Sequence, residues 1–179
     1  MPLIRHLKED VAEGWRKFWN QPNKTYRNFQ IVFGLLALHF FFPALNYGFA
    51  PDSAIDMFRW MGSVSGGPDY PFLEDGFVWR VLASGNVLTL AFMCFLLMSN
   101  VRRFYAVLVP LCFMKGCASL GFLLAFLFGY HFLPFLGVAV WDGINVVLFL
   151  YFAHTAYWSL EEWGEETAVP RLFWKARDN

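Results

Sequence analysis

The chain has 179 residues, of which 58% are hydrophobic and only 16% charged, with 22 Phe and 8 Trp. Soluble domains carry about 25% charged residues, so this is the composition of a membrane protein. Its 14 basic and 14 acidic residues cancel, which excludes a nucleic-acid partner held by a basic excess.

The first predicted element, over residues 1–20, is a cytoplasmic amphipathic helix. Ile4, Leu7, Val11, Trp15 and Phe18 recur at helical spacing and share one face. Arg5, Lys8, Glu9, Glu13, Arg16 and Lys17 fill much of the remainder. Such a stripe serves as an interface anchor, either to the membrane surface or to a partner protein. The opening MPLIRHLKED is not read as a cleavable signal, because no apolar stretch follows its charges. QPNK, residues 21–24, separates this helix from the first long apolar run.

Residues 28–158 form the predicted membrane domain. A helix needs about 20 apolar residues to cross a bilayer. Four runs meet that length, at about 29–47, 79–98, 104–128 and 135–158. Four helices with no polar face cannot hide inside so small a soluble protein. The expected fold is an all-α integral membrane protein: a four-transmembrane-helix bundle with flanking amphipathic interfacial helices.

The connection over residues 48–78 is read as an outer loop. PDSAIDMFRWMG opens it as a short interfacial helix, with Ser53 and Asp56 as a capping box. Ile55, Phe58, Trp60 and Met61 are its apolar surface, and GSVSGGPDYP ends it in turns. The uncharged turn GYHFLP makes the third and fourth spans antiparallel neighbours. Residues 159–179 form a cytoplasmic tail with aromatic belt residues Tyr157, Trp158 and Trp163 near its start.

Basic residues set the orientation. Lys24 and Arg27 precede the first span, and Arg102 and Arg103 lie between the second and third. The 48–78 connection instead carries Asp52, Asp56, Asp69, Glu74 and Asp75. Both termini are therefore expected in the cytoplasm, with a bacterial inner (cell) membrane as the location.

Polar residues inside the runs carry the functional signal. The third run holds a lone Lys115 and the fourth a lone Asp142. At about 1.5 Å per residue, their backbones differ by only about 4 Å in depth. Each charge alone is expensive in a bilayer, and together they neutralise one another. His39 and Asn86 fall in the same zone, and Asn145 lies on the Asp142 face. His39, Asn86, Lys115, Asp142 and Asn145 thus make a candidate intramembrane polar network with a member from every span. It is read as a satisfied structural network, as a ligand, proton or substrate site, or as a contact with a neighbouring subunit.

Cys117, Gly121, Ala125 and Gly129 recur every fourth residue on the third span, with Ala139 and Gly143 as a short matching ridge on the fourth. Small ridges let helices approach closely in lipid. They sit on a different face from Lys115, so the third helix either has two interior faces or turns one face to its bundle and the other to a partner.

Familiar chemistries find little support. Cys94, Cys112 and Cys117 are read as free thiols. His39 is at mid-depth, His131 near the outer turn and His154 near the cytoplasmic end, which misplaces any bis-histidine haem by several turns. His39 alone is too weak a signal for haem, pigment or copper, and neither a metal-ligand motif nor a nucleophile triad stands out. No metal, cofactor or catalytic residue is assigned. The leading expectation is a non-catalytic subunit of a larger membrane complex, supporting assembly and contacting lipids or cofactors. The alternative is a small membrane enzyme or carrier for a hydrophobic substrate such as a quinone or lipid, bound at the polar layer.

Overall fold

The computed structural model describes residue 16, residues 21–69, residue 71 and residues 76–163. The predicted stripe of Ile4, Leu7, Val11, Trp15 and Phe18 lies outside the described residues, as does most of the tail. In chain order the helices are α1 (Lys24–Phe49), α2 (Pro51–Ser65), α3 (Phe77–Ser99), α4 (Val101–Phe104), α5 (Leu108–Ala125) and α6 (Leu133–Trp163). A 3₁₀ turn, Tyr105–Val107, joins α4 to α5, and a π-helical turn, Phe126–Tyr130, ends α5. Among the described residues all regular structure is helical. Four helical stretches are long and apolar enough to cross a membrane: α1, α3 from Val81, the composite Val101–Tyr130, and α6.

Local chemistry explains the boundaries. Asn23 caps α1, its side-chain oxygen accepting from the Tyr26 N–H at 3.0 Å, which satisfies one of the donors every helix start leaves open. The helix therefore begins at Lys24 rather than at 29. Asn100 does the same for α4, accepting from the Arg103 N–H at 3.0 Å. The capping box expected at Ser53 is not formed. Pro51 occupies the start of α2, where its missing N–H costs nothing. Ser53 is already inside the helix and donates its hydroxyl to the Ala50 carbonyl at 2.8 Å. Gly66 closes α2 in the left-handed region, with φ of 67°. His131 turns the chain from α5 to α6 with φ of 48°, a conformation histidine adopts more readily than most residues.

α1 is the central helix. It packs on α3 along one side and on α6 along another, while α5 packs chiefly on α6. α3 and α5 meet only sparingly. All three principal pairs are antiparallel. The Gln30 amide reaches the Met98 carbonyl at 3.4 Å and the Ser84 hydroxyl reaches the Ala44 carbonyl at 2.7 Å, which sets α1 against α3. Asn23 donates its amide to the Ser159 carbonyl at 3.2 Å and hydroxyl at 3.1 Å, pinning the start of α1 to the end of α6.

The buried stripe of α1 is Tyr26, Phe29, Phe33, Leu36, Phe40 and Ala44. The stripe of α6 is Phe135, Ala139, Asp142, Asn145, Phe149, Ala153, Ala156 and Leu160. Both follow the three-and-four spacing of helices packed side by side. Phe149 sits between Phe33 and Phe40, with ring centroids at 5.8 and 6.2 Å, continuing a ladder from Tyr26 and Phe29. Bulky rings give the α1–α6 contact a large packed area.

The two ends differ. One end collects Lys24, Arg27, Arg102 and Arg103, with Arg102 at 3.7 Å from Glu161 and over the Tyr157 ring. The other is covered by α2, which packs against α1 and α6. Gly62 makes this approach feasible, since a Cβ there would fall 2.5 Å from the fully buried Phe132 ring.

Candidate functional site

Lys115 projects from α5 toward α6 and α1. Its ammonium donates to Asp142 Oδ1 at 2.5 Å and lies 4.8 Å from the centre of the Phe40 ring. The two charged side chains are 12% and 5% exposed. A shielded pair of this kind is stable only when each charge has its counterpart, and the Phe40 face adds attraction for the ammonium. Asp142 belongs to the buried stripe of α6, so the carboxylate points inward because its helix does.

Asn145 is one turn from Asp142 on the same stripe and is fully buried. Its amide donates to the Trp141 carbonyl at 2.9 Å. Its Oδ1 has no hydrogen-bond partner, an acceptor left open in the middle of the protein.

His39 stands on a different side of the α1–α6 contact. Its Nε2 accepts from Trp141 Nε1–H at 3.0 Å, and both residues are exposed at the helix surface. An indole can only donate, so this nitrogen carries no proton and the neutral ring holds its proton on Nδ1. Pro43 lies four residues on in α1. Having no N–H, it cannot bond the His39 carbonyl, which frees that acceptor at the same level.

Asn86 is not part of this assembly. It is exposed on α3, one turn from the buried Leu90. The reason is its side of the helix: α1 covers α3 at that height through Ser84, and Asn86, two residues on, is turned the other way. The polar layer therefore draws on α1, α5 and α6, and α3 contributes nothing polar to it among the described residues.

The small-residue ridge also faces elsewhere. Cys117, Gly121 and Gly129 are exposed and Ala125 is half-buried. A Cβ added at Gly121 or Gly129 would meet nothing within 4 Å. The close approach of α5 to α6 is made by Ser119, whose hydroxyl donates to the Ala139 carbonyl at 2.7 Å. A Cβ at Gly143 would come 3.4 Å from that hydroxyl. Ala139 and Gly143 thus do lie in the helix contact, but the α5 face that meets them carries Lys115 and Ser119. Helical geometry turns Cys117 and Gly121 away from that contact.

Sequence reasoning missed Phe40, Trp141, Ser119 and Gln30 as members of polar contacts. Only Ser119 gave a signal, through its place one turn from Lys115. Gln30 is 2% exposed and its Oε1 lacks a partner, as does the hydroxyl of the fully buried Tyr26 one turn away.

Cofactor ligation has little to build on. Among the described residues no group of three His, Cys, Asp or Glu side chains could hold a metal ion. His39 is level with Trp141, so His131 and His154 are about 15 and 20 Å away along α6. Its Nε2 already accepts from Trp141. No protein family, curated protein or solved structure matches the chain.

Proposed function

We propose that this chain is a non-catalytic integral membrane subunit whose α5 docks a helix of another subunit. The observation that carries the reading is the imbalance of the bundle. Of the 18 residues of α5 only Leu108 and Leu111 are buried, against seven of the 26 in α1. A helix held on one side alone leaves its opposite face to lipid or to a partner. On α5 that face holds Cys117 and Gly121 between the exposed Phe113 and Leu124. A groove of small residues between large ones suits close helix packing better than disordered acyl chains. The basic end, with Lys24, Arg27, Arg102 and Arg103, is assigned to the cytoplasm and α2 to the outer side. Both termini then lie in the cytoplasm of a cell of bacterial type.

The mutually neutralised Lys115–Asp142 pair supports a structural role for the polar layer. The open Oδ1 of Asn145 favours the second reading, a small enzyme or carrier that holds a hydrophobic molecule such as a quinone or lipid by its polar group. Native mass spectrometry of the chain, extracted from its own membrane in mild detergent, decides between them. A stoichiometric complex that Gly121→Leu releases, with thermal melting of the chain unchanged, is the expected result. A single chain of unaltered mass with either residue at 121 overturns the subunit reading. A single chain that retains a small hydrophobic ligand, lost in Asn145→Leu, establishes the second.

A further inference from the structure

We infer that α2 is an interfacial helix whose Met57–Trp60–Val64 face is inserted among lipids at the outer membrane boundary; this rests on the membrane-inserted reading of the chain. α2 presents three separate faces. Its packing face holds Ile55, Phe58 and the buried Gly62, which seats on Phe132 at the α5–α6 turn. A second face holds the exposed Asp52, Asp56, Arg59 and Ser63, with Arg59 at 3.5 Å from Asp56. The third holds Met57, Trp60 and Val64, which are 48%, 64% and 69% exposed, with Ser53 in the same sector at the first turn, its hydroxyl bonded to the Ala50 carbonyl. At about 100° per residue these three span an arc of only ~60°. Such a stripe is too regular for scattered surface apolar residues.

Lipid is the occupant because of where the helix lies. A single residue, Ala50, separates α2 from the end of a span-length helix. The outward face of α1 runs through Leu38, Phe42, Leu45 and Phe49, the last 87% exposed and two residues before α2 begins. Around the helix axis, the polar face sits about 100° from the apolar stripe and about 90° from the packing face, which leaves those two nearly opposite one another. Those angles match a helix lying at the rim of the bundle, with water above, protein on one side and lipid on the other. Half-buried Met61 occupies the remaining sector, directly below. Trp60, amphipathic and exposed, belongs at the headgroup level.

Spin labels on single cysteines test this. The background keeps the buried Cys94 and replaces the more exposed Cys112 and Cys117 with Ala. Labels go to Met57, Trp60, Val64, Asp52 and Ser63, with Leu38 as the deep control, in vesicles of phosphatidylethanolamine and phosphatidylglycerol. Relaxation by oxygen reports lipid and relaxation by a water-soluble nickel chelate reports water. The inference expects oxygen to dominate at 57, 60 and 64, at a depth of about 5–10 Å, and nickel to dominate at 52 and 63. Nickel at all five sites overturns it while oxygen at Leu38 leaves the membrane reading intact. Shielding of 57, 60 and 64 from both reagents assigns the face to a protein and also overturns it. Nickel at Leu38 overturns both. Unlabelled protein with the native cysteines, bearing Met57→Ser and Val64→Ser, gives a second readout: blue-shifted Trp emission on reconstitution is reduced if the stripe enters lipid, and an unreduced shift contradicts insertion.

Discussion

Removing one member of the Lys115–Asp142 pair strands the other in a nearly closed site, with 12% and 5% exposure. The stranded group has two recourses: to stay charged without a counterpart, or to neutralise itself by moving a proton. The second sets a ceiling. An ordinary carboxylate takes about 4 kcal/mol to protonate at pH 7, and an ordinary ammonium about 5 kcal/mol to deprotonate. Breaking a buried pair from one side costs about 3–5 kcal/mol in measured cases, within that ceiling. Lys115→Met and Asp142→Asn are therefore each expected to destabilise the protein by about 3 kcal/mol or more, and the double variant by no more than about 1 kcal/mol. Unfolding by SDS titration in mixed micelles reads the losses. A double variant whose loss equals the sum of the singles would refute the reasoning.

Gly62→Ala is expected to cost about 1–3 kcal/mol by overpacking, because the new methyl meets the immobile Phe132 ring at 2.5 Å; thermal melting checks it. Asn23→Ala removes a helix cap and both bonds to Ser159, so a loss of about 2 kcal/mol is expected. Ser159→Ala leaves the cap and the carbonyl contact in place and costs about 0.5–1 kcal/mol. Gly143→Leu forces α6 away from Ser119, where only 3.4 Å is free, and lowers the melting temperature of the isolated chain. Cys117 reacts quickly with a lipid-soluble maleimide in folded protein and the fully buried Cys94 does not; equal rates would contradict the packing of α3.

Span-length helices were legible because the requirement of length and apolarity is written in composition. Helix facing was not. In α6, apolar residues surround the axis on all sides, so no polar face marks which side is inward. Asp142 and Asn145 gave that side away, because a charge in a neutral run has one tolerable direction. The same reasoning placed Lys115 opposite Asp142 from depth alone. It failed for Asn86, because depth along a helix does not say which side of the helix a residue is on. Spacing alone also misassigned the small ridge on α5. The position of Ser119 against Ala139 shows that the face with Cys117, Gly121 and Gly129 is not the one that meets α6. The extent of α1 was missed because Asn23 was treated as part of a breaker, although its side chain starts the helix.

The polar contacts also explain how so lightly packed a helix as α5 stays in place. Between apolar helices in lipid there is no water to expel, so packing and polar bonds must hold them together. α1, α3 and α6 share the Phe29, Phe33 and Phe149 ladder and the buried Cys94 and Leu97. α5 contributes only Leu108 and Leu111 to the buried set. Its remaining ties to α6 include Lys115 to Asp142 and, one turn on, Ser119 to the Ala139 carbonyl. These two bonds lie on one face of each helix and close in the same direction, like a clasp. On the same side Phe122 adds a ring contact, its centroid 5.4 Å from that of Phe135. Lys115 is costly to bury alone, and with Asp142 opposite it and Ser119 one turn on it fixes which side of α5 turns toward α6.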